Sequence, residues 1–152
     1  MKILIFSDSH KNFNAMAMAI EKEFPIDWII HAGDVQRDVE DLEIMYPKTP
    51  ICYVLGNNDY FIHNVPSDRF FELGGVKIFL THGHNYGVKY SLAKLLQKGK
   101  ELGADIIIFG HTHRAYLEKE GRITLFNPGA ASRSYGVLEI ENGKFKLEIC
   151  EN

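Results

Sequence analysis

The chain has 152 residues, 45% hydrophobic and 24% charged, with a formal net charge of −3. That length suits one domain, residues 1–152, with a proper core, and the mild negative charge gives no electrostatic footprint for duplex nucleic acid or anionic lipid. No run approaches the roughly 20 apolar residues of a membrane span. The start, with Lys2 alone before a short apolar run that turns acidic at Asp8, does not read as a signal peptide. A cytoplasmic protein is expected, with no membrane partner. Cys52 and Cys150 lie far apart without CxxC spacing, which predicts two buried, reduced thiols.

The first apolar run, KILIF, is unbroken and suits a strand covered on both faces. Asn12 is placed to cap a helix over 13–24, whose apolar residues recur at three- and four-residue spacing until Pro25 ends it. A strand over 27–31 leads into Ala32-Gly33-Asp34. A helix over 38–46 stops at Pro47, and a strand over 51–55 delivers Gly56-Asn57-Asn58-Asp59. Residues 60–67 read as loop. Strands over 69–73 and 76–81 form a hairpin about Gly74-Gly75 and end in His82-Gly83-His84. A helix over 91–102 closes at Gly103, and a buried strand over 105–109 delivers Gly110-His111-Thr112-His113. The remainder, strands over 115–119, 122–126, 135–140 and 144–149, reads as a β-meander with a small-residue loop near Asn127-Pro128-Gly129. The β/α alternation followed by β strands predicts two packed sheets with helices outside.

Five of these runs end in Asp, His or Asn, which predicts one polar cluster along a single sheet edge. Each fragment alone has an ordinary reading, as a polar strand end or a capped turn. Together, four histidines, two aspartates and an asparagine would be repulsive and costly without a cation. Asp8, His10, Asp34, Asn57, His82, His111 and His113 exceed the four groups a tetrahedral structural zinc takes. Two ions sharing a carboxylate use them all. The mixed imidazole and carboxylate donors suit manganese, iron, nickel, cobalt or zinc better than calcium or magnesium. Such a pair is a clamp for displacement at phosphorus.

The ordered set D-x-H, G-D, G-N-x-D, H and G-H-x-H resembles the calcineurin-like metallophosphoesterase superfamily. The forms SDSH, GNND, THGH, GHTHR and NPGA are similar to its small single-domain prokaryotic, YfcE-like phosphodiesterases. The resemblance runs from Lys2 to about Tyr135. It implies an α/β fold, a four-layer α/β/β/α sandwich with the site at the carboxyl ends of strands. It further implies that Asp8, His10 and His113 hold one metal and Asn57, His82 and His111 a second, with Asp34 bridging. The cofactors so implied are two divalent transition-metal ions, manganese foremost. The activity implied is phosphodiester hydrolysis by a metal-bridging hydroxide on a small phosphoester or nucleotide-like substrate.

The third residue of G-N-x-D is often histidine in the superfamily and is Asn58 here. Asn58 donates a hydrogen bond but cannot shuttle a proton. Asn58, Asp59 and His84 are the candidate catalytic-side residues, Asp59 as an orienting group and His84 as a phosphate contact or a surface histidine. His31 reads as a strand residue packed beside the site; Arg114 and Arg133 could touch an anionic substrate but read better as solvated. The alternatives are a phosphomonoesterase or nucleotide pyrophosphatase at the same site and, of another class, a non-catalytic scaffold on the same fold. Pairing of exposed strands into a homodimer is left open.

Overall fold

The computed structural model describes residues 1–59 and 61–152. Among these residues ten strands build two five-stranded mixed sheets. The first sheet contains β1 (Lys2–Phe6), β2 (Trp28–His31), β3 (Ile51–Tyr53), β9 (Ser134–Glu141) and β10 (Lys144–Glu151), in the order β10-β9-β1-β2-β3. The second contains β4 (Asp68–Leu73), β5 (Val76–Thr81), β6 (Ile106–Ile108), β7 (Tyr116–Glu120) and β8 (Ile123–Asn127), in the order β4-β5-β6-β8-β7. Strands β1, β2 and β3 are parallel, as are β5, β6 and β8. Among the described residues three α-helices complete the fold: α1 (Phe13–Glu23), α2 (Gln36–Met45) and α3 (Ala93–Leu102).

Side-chain alternation in the unbroken apolar runs defines the layers. Ile3 and Ile5 of β1 point into a core shared with Ile78 and Leu80 of β5 and Ile106 and Ile108 of β6. Leu4 and Phe6 point the other way, onto Met16, Ala19 and Ile20 of α1 and Leu42 of α2. Ile107 faces Leu95 of α3. Each run is therefore covered on both faces, and each fully buried aliphatic side chain contributes about 1.5–3 kcal/mol relative to exposure. The result is the expected α/β/β/α sandwich.

Three expectations are corrected. The polar strand ends belong to both sheets, three to the first and two to the second, because the sheets align their carboxyl ends. The last four strands are no single meander. The β7–β8 hairpin edges the second sheet and β9–β10 edges the first, with residues 128–133 crossing between them. Local alternation specifies hairpins but not which sheet receives them. The loop expected over 60–67 is present over 61–67, and residue 60 lies outside the described residues. Cys52 and Cys150 are free and half-buried rather than buried, on opposite edge strands of the first sheet. No helix among the described residues is long and apolar enough to cross a membrane.

Candidate metal centre

Each polar group lies just beyond a strand's carboxyl end. Asp8 and His10 follow β1, Asp34 follows β2, Asn57 to Asp59 follow β3, His82 follows β5, and His111 and His113 follow β6. Backbone bonds link the loops: Asp8 N–H donates to Gly33 O at 2.9 Å, and Ser9 N–H to Asp34 O at 2.8 Å. Five of the seven expected ligands hold positive φ without being glycine: Asp8 (51°), His10 (42°), Asp34 (54°), His111 (70°) and His113 (60°). Left-handed backbone is costly for such residues and persists where surrounding bonds enforce it, commonly at functional sites.

Asp8 is 2% exposed, and its two oxygens are treated differently. Oδ2 accepts from Ser7 Oγ at 2.6 Å and from His111 N–H at 3.0 Å. Oδ1 is buried and makes no hydrogen bond. It lies 3.2 Å from His113 Nε2, 3.7 Å from His82 Nε2 and 3.8 Å from His10 Nε2. Asp34 Oδ2 lies 3.6 Å from His82 Nε2 and 4.0 Å from His10 Nε2. Asp8, His10 and His113 thus converge within metal-ligand reach, as do Asp8, Asp34 and His82.

His82 is fully buried, and its Nδ1 meets Ala32 O at 2.8 Å, which assigns the proton to Nδ1 and leaves Nε2 a lone pair. That lone pair faces Asn57 Oδ1 at 3.0 Å and His111 Nδ1 at 3.3 Å, and Asn57 Oδ1 lies 3.1 Å from His111 Nδ1. Burial, reinforced by His82 and Lys89, pushes His111 down to about 4, so its ring is neutral near pH 7. The imidazoles, a carboxylate oxygen without a donor and an amide oxygen turned inward form a donor set suited to divalent cations of the imidazole-binding kind.

The surrounding groups hold this set in place. Asn58 donates its backbone N–H to Asp34 Oδ1 at 3.0 Å and its side-chain amide to Oδ2 at 2.7 Å. Asp59, buried, accepts from the backbone N–H groups of Gly56, Gln36 and Asp34 at 2.8, 2.9 and 3.3 Å. His84, half-buried in a 3₁₀ turn (His84–Tyr86), has its ring 5.5 Å from that of His82 and 6.1 Å from that of His111. Its Nδ1 is buried and unbonded, and burial, followed by the neighbouring His82, lowers its pKa. Arg114 and Arg133 are exposed.

Sequence reasoning missed a second layer. His31 Nδ1 accepts from Gly33 N–H at 3.1 Å, so its Nε2–H faces Ser9 Oγ at 3.0 Å, and Ser9 in turn donates to Asp38 Oδ2 at 2.6 Å. Asp38 also accepts from Lys11 N–H at 2.8 Å. Asn127 donates to Gly110 O and Thr112 Oγ1 at 3.0 and 3.1 Å, bracing the Gly-His-Thr-His loop. Close approach requires glycine at 56 and 110. A Cβ on Gly56 would strike the Asp34 carboxylate, and one on Gly110 would strike Ser7 Oγ and lie 2.7 Å from Asp8 Oδ2. Ser7 and Ser9 flanking Asp8 were the available signal; Asp38 carried none.

Fold and donor set together define a phosphoesterase of the metal-binding kind. The family model of the calcineurin-like phosphoesterase superfamily domain matches residues 1–143, and the chain belongs to that family. It is 35% identical to the probable metallophosphoesterase YsnB of Bacillus subtilis strain 168, covering 93% of this chain and 86% of that one. It is 39% identical to the phosphodiesterase YfcE of Escherichia coli K12, covering 91% and 88%. Among solved structures, a predicted phosphoesterase from Streptococcus pneumoniae TIGR4 superposes with a TM-score of 0.80 at 28% identity, over 99% of this chain and 88% of that one. The resemblance read from the ordered motifs therefore holds, and the chain is a hydrolase-family protein with candidate metal ligands.

Proposed function

We propose that this chain is a cytoplasmic phosphodiesterase with a centre of two divalent transition-metal ions. The observation that carries the reading is the buried, unbonded Asp8 Oδ1 facing three imidazoles. Asp8, His10 and His113 would hold one ion and Asn57, His82 and His111 the other, with Asp34 shared. Manganese is the foremost ion, with nickel, iron, cobalt and zinc within the range of the donors. Such ions would lower the pKa of bound water toward neutrality and offset charge on phosphoryl oxygens.

The chain's own residues set the geometry. Ser7 and the His111 N–H occupy Asp8 Oδ2, which turns Oδ1 toward the centre. Ala32 O fixes the His82 tautomer. Asn58 and Asp59 orient Asp34, one through its carboxylate and the other through its backbone. His84, its pKa lowered by burial, offers a neutral ring to a phosphoryl oxygen beside the centre. With Asn58 where a histidine often stands, no side chain at that position relays a proton, which favours substrates with good leaving groups.

Metal analysis of the purified protein, with hydrolysis of bis-p-nitrophenyl phosphate against p-nitrophenyl phosphate with and without Mn²⁺, tests the reading. Near two equivalents of transition metal and Mn²⁺-stimulated diester cleavage are expected. Preferential monoester cleavage would assign a phosphomonoesterase. Bound metal without turnover would favour the scaffold, and absence of metal and activity would remove the two-ion centre.

A further inference from the structure

A groove of about 540 Å³ adjoins the ligand cluster, with Val88, Leu92, Phe109 and Tyr116 as its apolar lining. Val88 and Phe109 are buried, and the Phe109 and Tyr116 rings meet edge-on with centroids 6.2 Å apart. Thr112 also lines the groove and stands between His111 and His113, so the groove reaches the ligand loop itself. Lys89 and Arg114 supply its charge, both exposed, and among the described residues neither has an ion-pair partner.

A second groove adjoins the cluster at Asn58 and Asp59, but Glu40 and Asp41 line it beside Arg37. Three carboxylates there, Asp59 included, oppose an anion, whereas no carboxylate lines the groove at Lys89 and Arg114. Its volume falls within the range of pockets for organic ligands, about 300–1,000 Å³. An aromatic, apolar lining beside two unpaired cations fits a flat ring system bearing an anion.

We propose that this groove receives one organic arm of the diester, and that the arm is a nucleotide. Its base lies on the apolar lining, and a further phosphate pairs with Lys89 and Arg114. The proposal rests on the phosphodiesterase reading of the adjoining centre.

The test is calorimetric titration of thymidine 3′,5′-bisphosphate into the full chain as purified, with thymidine and inorganic phosphate as separate arms. Saturable binding is expected, tighter than thymidine by at least about tenfold. It should weaken by about tenfold in each of Lys89→Ala and Arg114→Ala, exposed positions whose truncation leaves the core intact. Absence of binding, affinity no better than thymidine, or equal affinity in wild type and both variants would overturn the proposal; equal affinity would mean that the phosphates sit on the centre alone, as the inorganic phosphate arm would report. Turnover of bis-p-nitrophenyl phosphate by the wild type separates the two readings. Hydrolysis without bisphosphate binding refutes the groove and spares the phosphodiesterase. Bisphosphate binding that depends on both cations, without hydrolysis, supports the nucleotide groove and refutes the phosphodiesterase.

Discussion

Asn58 grips both oxygens of Asp34, through its backbone N–H to Oδ1 at 3.0 Å and its side-chain amide to Oδ2 at 2.7 Å. Asp34 is 1% exposed and in left-handed backbone, so its orientation depends on such bonds. Asn58→Ala keeps the backbone bond and removes the other. The variant should fold normally and bind Mn²⁺ about 10- to 100-fold more weakly, as is usual when a group orienting a ligand is lost. Calorimetric titration of Mn²⁺ checks this, and wild-type affinity in the variant would remove the positioning role.

Asp34→Asn conserves shape and removes the charge that two ions would share. Diesterase activity should fall by more than about a hundredfold while circular dichroism stays native. Undiminished turnover would sink the two-ion mechanism.

The layers of the fold were legible because Ile3 to Phe6 and Ile106 to Ile108 are apolar on both faces, which only covered strands tolerate. The cluster was legible because its ligands directly follow those runs. Assignment of strands to sheets was not, since hairpins such as β7–β8 and β9–β10 look alike locally and differ only in tertiary pairing. The Ser9–Asp38 bond spans 29 positions, and nothing local to Asp38 in α2 announces it. Nor does sequence flag left-handed backbone at Asp8 or His111, where the usual marker, glycine, is absent. Long-range hydrogen bonds enforce both features, and they exist only once the sheets have met.

Gly110 admits no side chain, because a Cβ there would meet Ser7 Oγ and Asp8 Oδ2, the pair that orients the Asp8 carboxylate. Gly110→Ala should cost about 1–3 kcal/mol of stability, typical of overpacking, and weaken Mn²⁺ binding with it. Denaturant melts and metal titration read the two effects. A native melt with native metal affinity would show that the loop yields without moving Asp8.

His31 makes the apoprotein acid-sensitive. Complete burial pushes its pKa from an ordinary 6.5 to about 4, against the pull of Asp8, Asp38 and Asp59. The unfolded chain therefore takes up a proton below pH 6.5 that the folded chain refuses until about pH 4. Stability from this group is complete above 6.5 and is lost as pH falls from there through about 4, a change on the order of 3 kcal/mol. His31→Gln offers an amide in place of the imidazole and does not titrate. In chelator, the variant should be less stable than wild type at about pH 7.5 yet lose less between about pH 7.5 and about pH 5. Urea midpoints at the two pH values measure the difference, and parallel losses would assign the acid sensitivity to another group.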